Sequence, residues 1–180
     1  KGDKEGNRWY APTPYYIDWS RPNVKYLKEN SGKKGKGMPV VRNVRFYFRE
    51  GFCWKDIGME TLKVRIKGKT IHDVKSMALF PSRGNEFLLK YIISVLNSNL
   101  ISHYQYNFIN NTVSIQMNDV RQLPIIIPDS NHLVYLGKIF DEAYSIQKAK
   151  FSGQIDSKKI GTKLSKIQKE LDDYVERMYL

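Results

Sequence analysis

The chain is poor in cysteine, in histidine and, over its first half, in acid. It has one cysteine, Cys53, in 180 residues, so no internal disulfide can form and a cytoplasmic setting is the expectation. Set between Phe52 and Trp54, Cys53 reads as a small half-buried residue. His72, His103 and His132 each stand alone, with no second His, Cys or paired carboxylate at ligand spacing. No metal site is therefore expected. There is no apolar run long enough for a bilayer, no signal peptide and no basic amphipathic helix of the interfacial kind, so a membrane partner is not expected. Residue 1 is Lys rather than Met, and the chain reads as a piece of a longer protein. No nucleophile, base and orienting group fall at a recognisable spacing, so this piece is not expected to be an enzyme.

Acid is scarce where base is dense. Residues 1–90 hold 20 Lys and Arg against 9 Asp and Glu, while residues 91–180 hold 10 against 9. Nearly all of the net charge of +12 thus lies in the first half. A one-sided basic surface concentrates polyanions, and nucleic acid is the commonest of these. At 41% hydrophobic residues the chain can also bury a core.

Residues 85–128 organise the rest. Leu88, Ile92, Val95, Leu96 and Leu100 recur at three- and four-residue steps, predicting one helix over residues 87–101. Asn85 can cap it, and Glu86 suits its dipole. The helix is apolar over most of its circumference, which places it centrally. Val113, Ile115 and Met117 alternate with Ser114, Gln116 and Asn118, predicting a half-buried strand. Pro124 and Pro128 bracket an extended Ile125-Ile126-Ile127 segment.

Upstream, residues 1–30 are rich in aromatics and proline and read as irregular structure laid over the core. Residues 31–37 form a basic glycine-rich loop, open to two readings: phosphate contact through Lys33, Lys34 and Lys36, or a solvated mobile loop. It lacks the Walker pattern. Residues 42–49 predict a strand with Val44, Phe46 and Phe48 on one face and Arg45, Tyr47 and Arg49 on the other. Residues 63–69 repeat the device, with Lys63, Arg65 and Lys67 opposite Val64 and Ile66. Residues 71–80 continue extended into a turn at residues 81–84.

Downstream, Ser130 or Asn131 can cap a helix over residues 132–150, followed by a linker over residues 151–157. In the last helix Ile160, Leu164, Ile167, Leu171, Tyr174 and Met178 follow a heptad seam. Leu133, Leu136, Phe140 and Ala143 offer it a partner. An antiparallel helical hairpin is the economical solution, and a dimeric coiled coil is the rival. The expected fold is α+β: a small mixed or antiparallel sheet packed on a central apolar helix, then a C-terminal antiparallel helical pair. The expected division is a recognition part over residues 1–128 and a hairpin spacer over residues 129–180.

Four stretches carry a resemblance. Tyr47-Phe48-Arg49-Glu50-Gly51-Phe52-Cys53-Trp54-Lys55-Asp56-Ile57 resembles the aromatic, acid-Gly, hydrophobic-x-Trp-x-x-Ile stretch of specificity domains in bacterial restriction-modification methyltransferases. Phe80-Pro81, followed by Tyr91-Ile92-Ile93-Ser94-Val95-Leu96-Asn97-Ser98, is similar to their Leu-Gly-Leu-Leu-Asn-Ser helix. Residues 113–125 look like their Gln-x-x-Asp-hydrophobic-x-x-Leu-Pro signature, and residues 167–180 are similar to their closing helix. Residues 40–180 together resemble the TaqI-like C-terminal specificity domain of Eco57I-like type II restriction enzymes and phage-exclusion methyltransferases, the proteins of bacterial phage defence. The resemblance implies a DNA-binding target recognition domain. It would hold double-stranded DNA against an N-terminal methyltransferase domain of the same parent chain, which uses S-adenosylmethionine to methylate adenine N6. This chain has neither the Asn-Pro-Pro-Tyr nor the Asp-Pro-Pro-Tyr tetrad, no Gly-rich cofactor loop and no nuclease Pro-Asp…Glu-x-Lys pattern. No cofactor is expected in it.

Residue chemistry points the same way. Base readout needs donors and acceptors held in fixed directions. Arg42, Arg45, Arg49, Lys63, Arg65, Lys67 and Arg83 supply donors. Asn43, Asn107, Asn110 and Asn111 are candidates for reading adenine, and Lys33, Lys34, Lys36 and Lys69 suit phosphates. Gln116 and Asp119 read as structural, with Asp119 capping the turn to Leu123 and Gln116 tying the strand to the central helix. The alternative function is a protein-interaction module docking through the helical seam, its basic surface incidental.

Overall fold

The computed structural model describes residues 6–57, 61–71, 77–153 and 157–180, without the side chains of residues 157 and 158. In chain order the elements are α1 (Arg21–Glu29), β1 (Gly51–Trp54), β2 (Val64–Lys67), β3 (Ala78–Leu79), α2 (Leu89–Leu96), α3 (Asn99–Tyr104), α4 (Met117–Arg121), α5 (Ser130–Phe151) and α6 (Ser157–Tyr179). The fold is α+β, as expected. β1 lies between β2 and β3, antiparallel to both.

α2 lies at the centre of the fold. Leu89, Tyr91, Ile93, Ser94, Val95 and Leu96 are all buried, so contact surrounds most of its circumference. One side meets the sheet through Phe52, Trp54 and Val64. Another meets α5 through Leu136, Ile139, Phe140 and Ala143, and all these residues belong to one continuous core. The helix expected over residues 87–101 is interrupted. Ser98 is extended (φ −73°, ψ 153°) and accepts the Ile101 N–H at 3.3 Å, starting α3 as a new helix. Asn85 does not cap the first turn; its amide donates to Ser82 Oγ at 2.7 Å.

Asn97, fully buried at this break, supplies what the outer edge of β2 lacks. It accepts the Val64 N–H and donates to the Val64 carbonyl, both at 2.8 Å. Trp9 adds one parallel bridge along the same edge, with its N–H on the Val64 carbonyl at 2.9 Å. The Leu-Asn-Ser stretch is therefore a joint between helix and sheet.

The helical pair forms as an antiparallel hairpin. Ile160, Ile167, Leu171 and Val175 are buried, and Tyr174 stacks on Tyr135 at 4.1 Å. Asp129, rather than Ser130 or Asn131, caps α5 by accepting the His132 N–H at 2.8 Å. The seam is occupied within this chain, by α5 and α3, as the hairpin solution requires. α6 is also stitched to the rest: Asp172 accepts from the Asn99 N–H at 2.7 Å, and Tyr179 donates to the Pro124 carbonyl at 2.7 Å.

Two expected strands are absent. Over residues 42–49 the chain makes a single 3-10 turn at Val44–Phe46, because Asn43 (φ 55°) and Phe48 (φ 57°) both adopt left-handed backbone. Over residues 113–117 the one pairing among the described residues is a bridge, Ile57 to Ser114. Asp119 takes the Gln116 N–H at 2.7 Å and opens α4 at Met117, so a capped helix competes with the strand. The Gln116 side chain donates to Ser114 Oγ rather than reaching the central helix. The extended piece predicted over residues 71–80 survives as β3; residues 72–76, including His72, lie outside the described residues. Residues 154–156 of the predicted linker also lie outside them.

Candidate nucleic-acid interface

The surface begins with α1, a helix that the sequence reading missed. Asp18 accepts the Ser20 N–H at 2.8 Å, and Pro22 sits in the first turn, where a missing N–H costs nothing. None of the nine residues of α1 is buried. Arg21, Lys25 and Lys28 recur at four- and three-residue steps, so they form one exposed stripe. That spacing, behind Ser20-Arg21-Pro22, was the available signal.

The basic loop follows directly. Its ends are tied: Ser31 Oγ accepts the Val41 N–H at 2.9 Å, and the Gly32 N–H donates to the Pro39 carbonyl at 3.0 Å. Gly32, Gly35 and Gly37 take φ of 79°, 144° and 79°, conformations that side chains resist. Lys33, Lys34 and Lys36 stand exposed on this closed loop, with Lys33 Nζ 3.0 Å from Asn30 Oδ1.

The turn over residues 42–49 completes the surface. Phe46 stacks on Phe80 with ring centroids 5.0 Å apart. The Arg45 guanidinium lies 4.9 Å from the Phe46 centroid. Trp19 meets Tyr47 and Phe48 edge-on at 5.8 and 5.6 Å, which binds the start of α1 to the turn. The Phe48 N–H donates to the Thr70 carbonyl at 3.2 Å, and Arg49 Nη2 donates to the Pro81 carbonyl at 2.6 Å. These contacts bring Arg42, Asn43 and Arg45 to the same end of the sheet as Lys69 and Arg83, all five exposed.

From residue 21 to residue 49 the chain holds nine Lys and Arg and one acid, Glu29. Among the described residues, the one ion pair in this segment is Lys25 with Glu29, at 3.8 Å. Such a field is largely uncompensated from within and attracts a polyanion. No protein-family model matches this chain, and no curated protein matches it.

Four predicted contact residues have side chains engaged within the fold. Arg65 and Lys67 were expected on a solvated basic face, but they share the Gly51 and Cys53 face of the sheet, where Lys67 Nζ lies 5.3 Å from the Phe80 ring centroid; both are buried. Lys67 Nζ donates to the carbonyls of Thr70 at 2.8 Å and Gly68 at 3.1 Å. Burial lowers its pKa from the usual lysine range, with an opposing contribution from Cys53. The Arg49 guanidinium is held on Pro81. Asn110 donates to Asp119 Oδ2 at 2.7 Å and to the Ser114 carbonyl at 3.0 Å, and it accepts the Thr112 N–H at 2.8 Å. Its amide is spent on the loop before α4. Lys63 and Asn111 are exposed but belong to the opposite end of the sheet, where Trp54 pairs with Val64 and Ile57 bridges Ser114. Asn107 donates to the His103 carbonyl at 2.8 Å. Among the described residues no group of His, Cys, Asp and Glu is set to hold a metal ion, and no helix is long and apolar enough to cross a membrane.

Proposed function

We propose that this chain is a duplex-DNA recognition module of a restriction-modification adenine-N6 methyltransferase. In this reading it grips DNA for a catalytic domain elsewhere in the parent chain, which binds S-adenosylmethionine and transfers the methyl group. The observation that carries the reading is the exposed basic stretch running from α1 through the loop to Arg45, in which Glu29 is the one acid between residues 21 and 49. The resemblance of residues 40–180 to specificity domains supports it independently. Against the alternative of partner docking through the helical seam stands the burial of Ile160, Ile167, Leu171 and Val175 inside this chain.

The test is an anisotropy titration with a labelled duplex. Neutralising several phosphates releases condensed counterions, so affinity is expected to fall by about a thousandfold or more between roughly 50 and 200 mM salt. Absence of binding at both salt levels contradicts the reading.

A further inference from the structure

The geometry points to a division of labour within this surface: the turn over residues 42–49 reads bases through Arg45 and Asn43, while α1 and the lysine loop hold phosphates. The inference rests on the DNA-binding reading above and adds to it which side chains set sequence preference.

Reading a base edge requires a donor whose direction is fixed before contact; a phosphate accepts a cation from many directions. The exposed cations divide on this criterion. Lys33, Lys34 and Lys36 sit on a loop with three glycines at positive φ, and Arg21, Lys25 and Lys28 project from a helix with no buried residue. The turn is different. Phe46 against Phe80, Trp19 against Tyr47 and Phe48, the Phe48 N–H on Thr70 and the Arg49 guanidinium on Pro81 together brace it. Within this frame Asn43, Val44, Arg45 and Phe48 remain exposed.

Arg45 is aimed by the frame. Its guanidinium lies over Phe46, whose ring is backed by Phe80. A guanidinium so held presents its fork to the O6 and N7 acceptors of guanine. Asn43, two residues away, carries the amide that pairs with adenine N6 and N7. The turn also holds two residues without glycine's freedom at positive φ, Asn43 and Phe48; for phenylalanine this is a costly conformation, of the kind that surrounding structure maintains at functional sites. Arg49, Arg65, Lys67 and Asn110 have their side chains buried or hydrogen-bonded within the fold, which removes them as readers.

The experiment is selection from a duplex pool with a randomised centre, followed by sequencing of the bound fraction, for the 180-residue chain and three variants of it. Arg45→Lys keeps the charge but loses the fork. It is expected to flatten preference at one position by about tenfold or more while total duplex affinity stays within about threefold. Asn43→Gly keeps the left-handed backbone and is expected to relax a neighbouring position. Lys33, Lys34 and Lys36 to Ala is expected to weaken binding to all sequences equally and leave the preference intact. Circular dichroism confirms that each variant is folded. If Arg45→Lys and Asn43→Gly keep the wild-type preference, or if the wild type binds duplexes without preference, the inference fails and the DNA-binding reading stands. If the wild type binds no duplex, both fail.

Discussion

Asn97 illustrates how one side chain joins two elements. Its amide bonds to both backbone groups of Val64 from the end of α2, at a site with no solvent access. In Asn97→Ala the Val64 carbonyl keeps Trp9, but the N–H is left buried and unpaired. The expected loss is about 1–3 kcal/mol in urea unfolding, with helix content unchanged. Tyr91 makes a second prediction. Burial, reinforced by Tyr179 and Tyr174, pushes its hydroxyl from an ordinary value of 10.0 up to about 12. The raised value means that the fold favours the neutral phenol, so this contribution is full below the unfolded value and is lost as pH rises towards the folded one. The hydroxyl donates to the Ile126 carbonyl at 2.7 Å, which makes wild type more stable than Tyr91→Phe near neutrality. Urea midpoints should show that gap narrowing between about pH 10 and 12. At this scale the sequence was a partial guide. Residue type identified Arg45, Arg42 and Lys33 as exposed cations, but it also nominated Arg65 and Lys67, because nothing local tells a lysine whether carbonyls await it inside.

Among elements, the long periodic ones were legible. α5 and α6 are long enough for a heptad pattern to fix their seam, although Val175, not Tyr174, is the fully buried residue in the last turn. The short basic stretches were not. Alternation over residues 42–49 and 63–69 was read as one dry face and one wet face. In the fold both faces of β2 are covered, and residues 42–49 curl into a turn whose Phe46 rests on Phe80. α1 was hidden by its aromatic, proline-rich surroundings and by its length of nine residues. The lysine loop carries the prediction that belongs here. Because Lys33, Lys34 and Lys36 are exposed, replacing all three with Ala should leave the unfolding midpoint unchanged within error. The slope of log affinity for duplex DNA against log salt should fall in magnitude by roughly 2 to 3, read from titrations at several salt concentrations.

At the scale of the molecule, helix, sheet and hairpin are fused by one core that passes from Trp54 through α2 to Phe140 and Leu171. That continuity supplies a stiff base for the turn and loops at one end of the sheet. The charge asymmetry between the two halves of the sequence already indicated that one region would be strongly basic; only the packing of Trp19, Phe46 and Phe80 gathers Arg42, Arg45, Lys69 and Arg83 around one end. The most direct measurement is amide hydrogen exchange of the chain with and without a duplex. Protection is expected over α1, the lysine loop and residues 42–49, with α5 and the outer face of α6 unchanged. Protection centred on the helical hairpin, with the basic segment exchanging as in the free chain, would contradict the account.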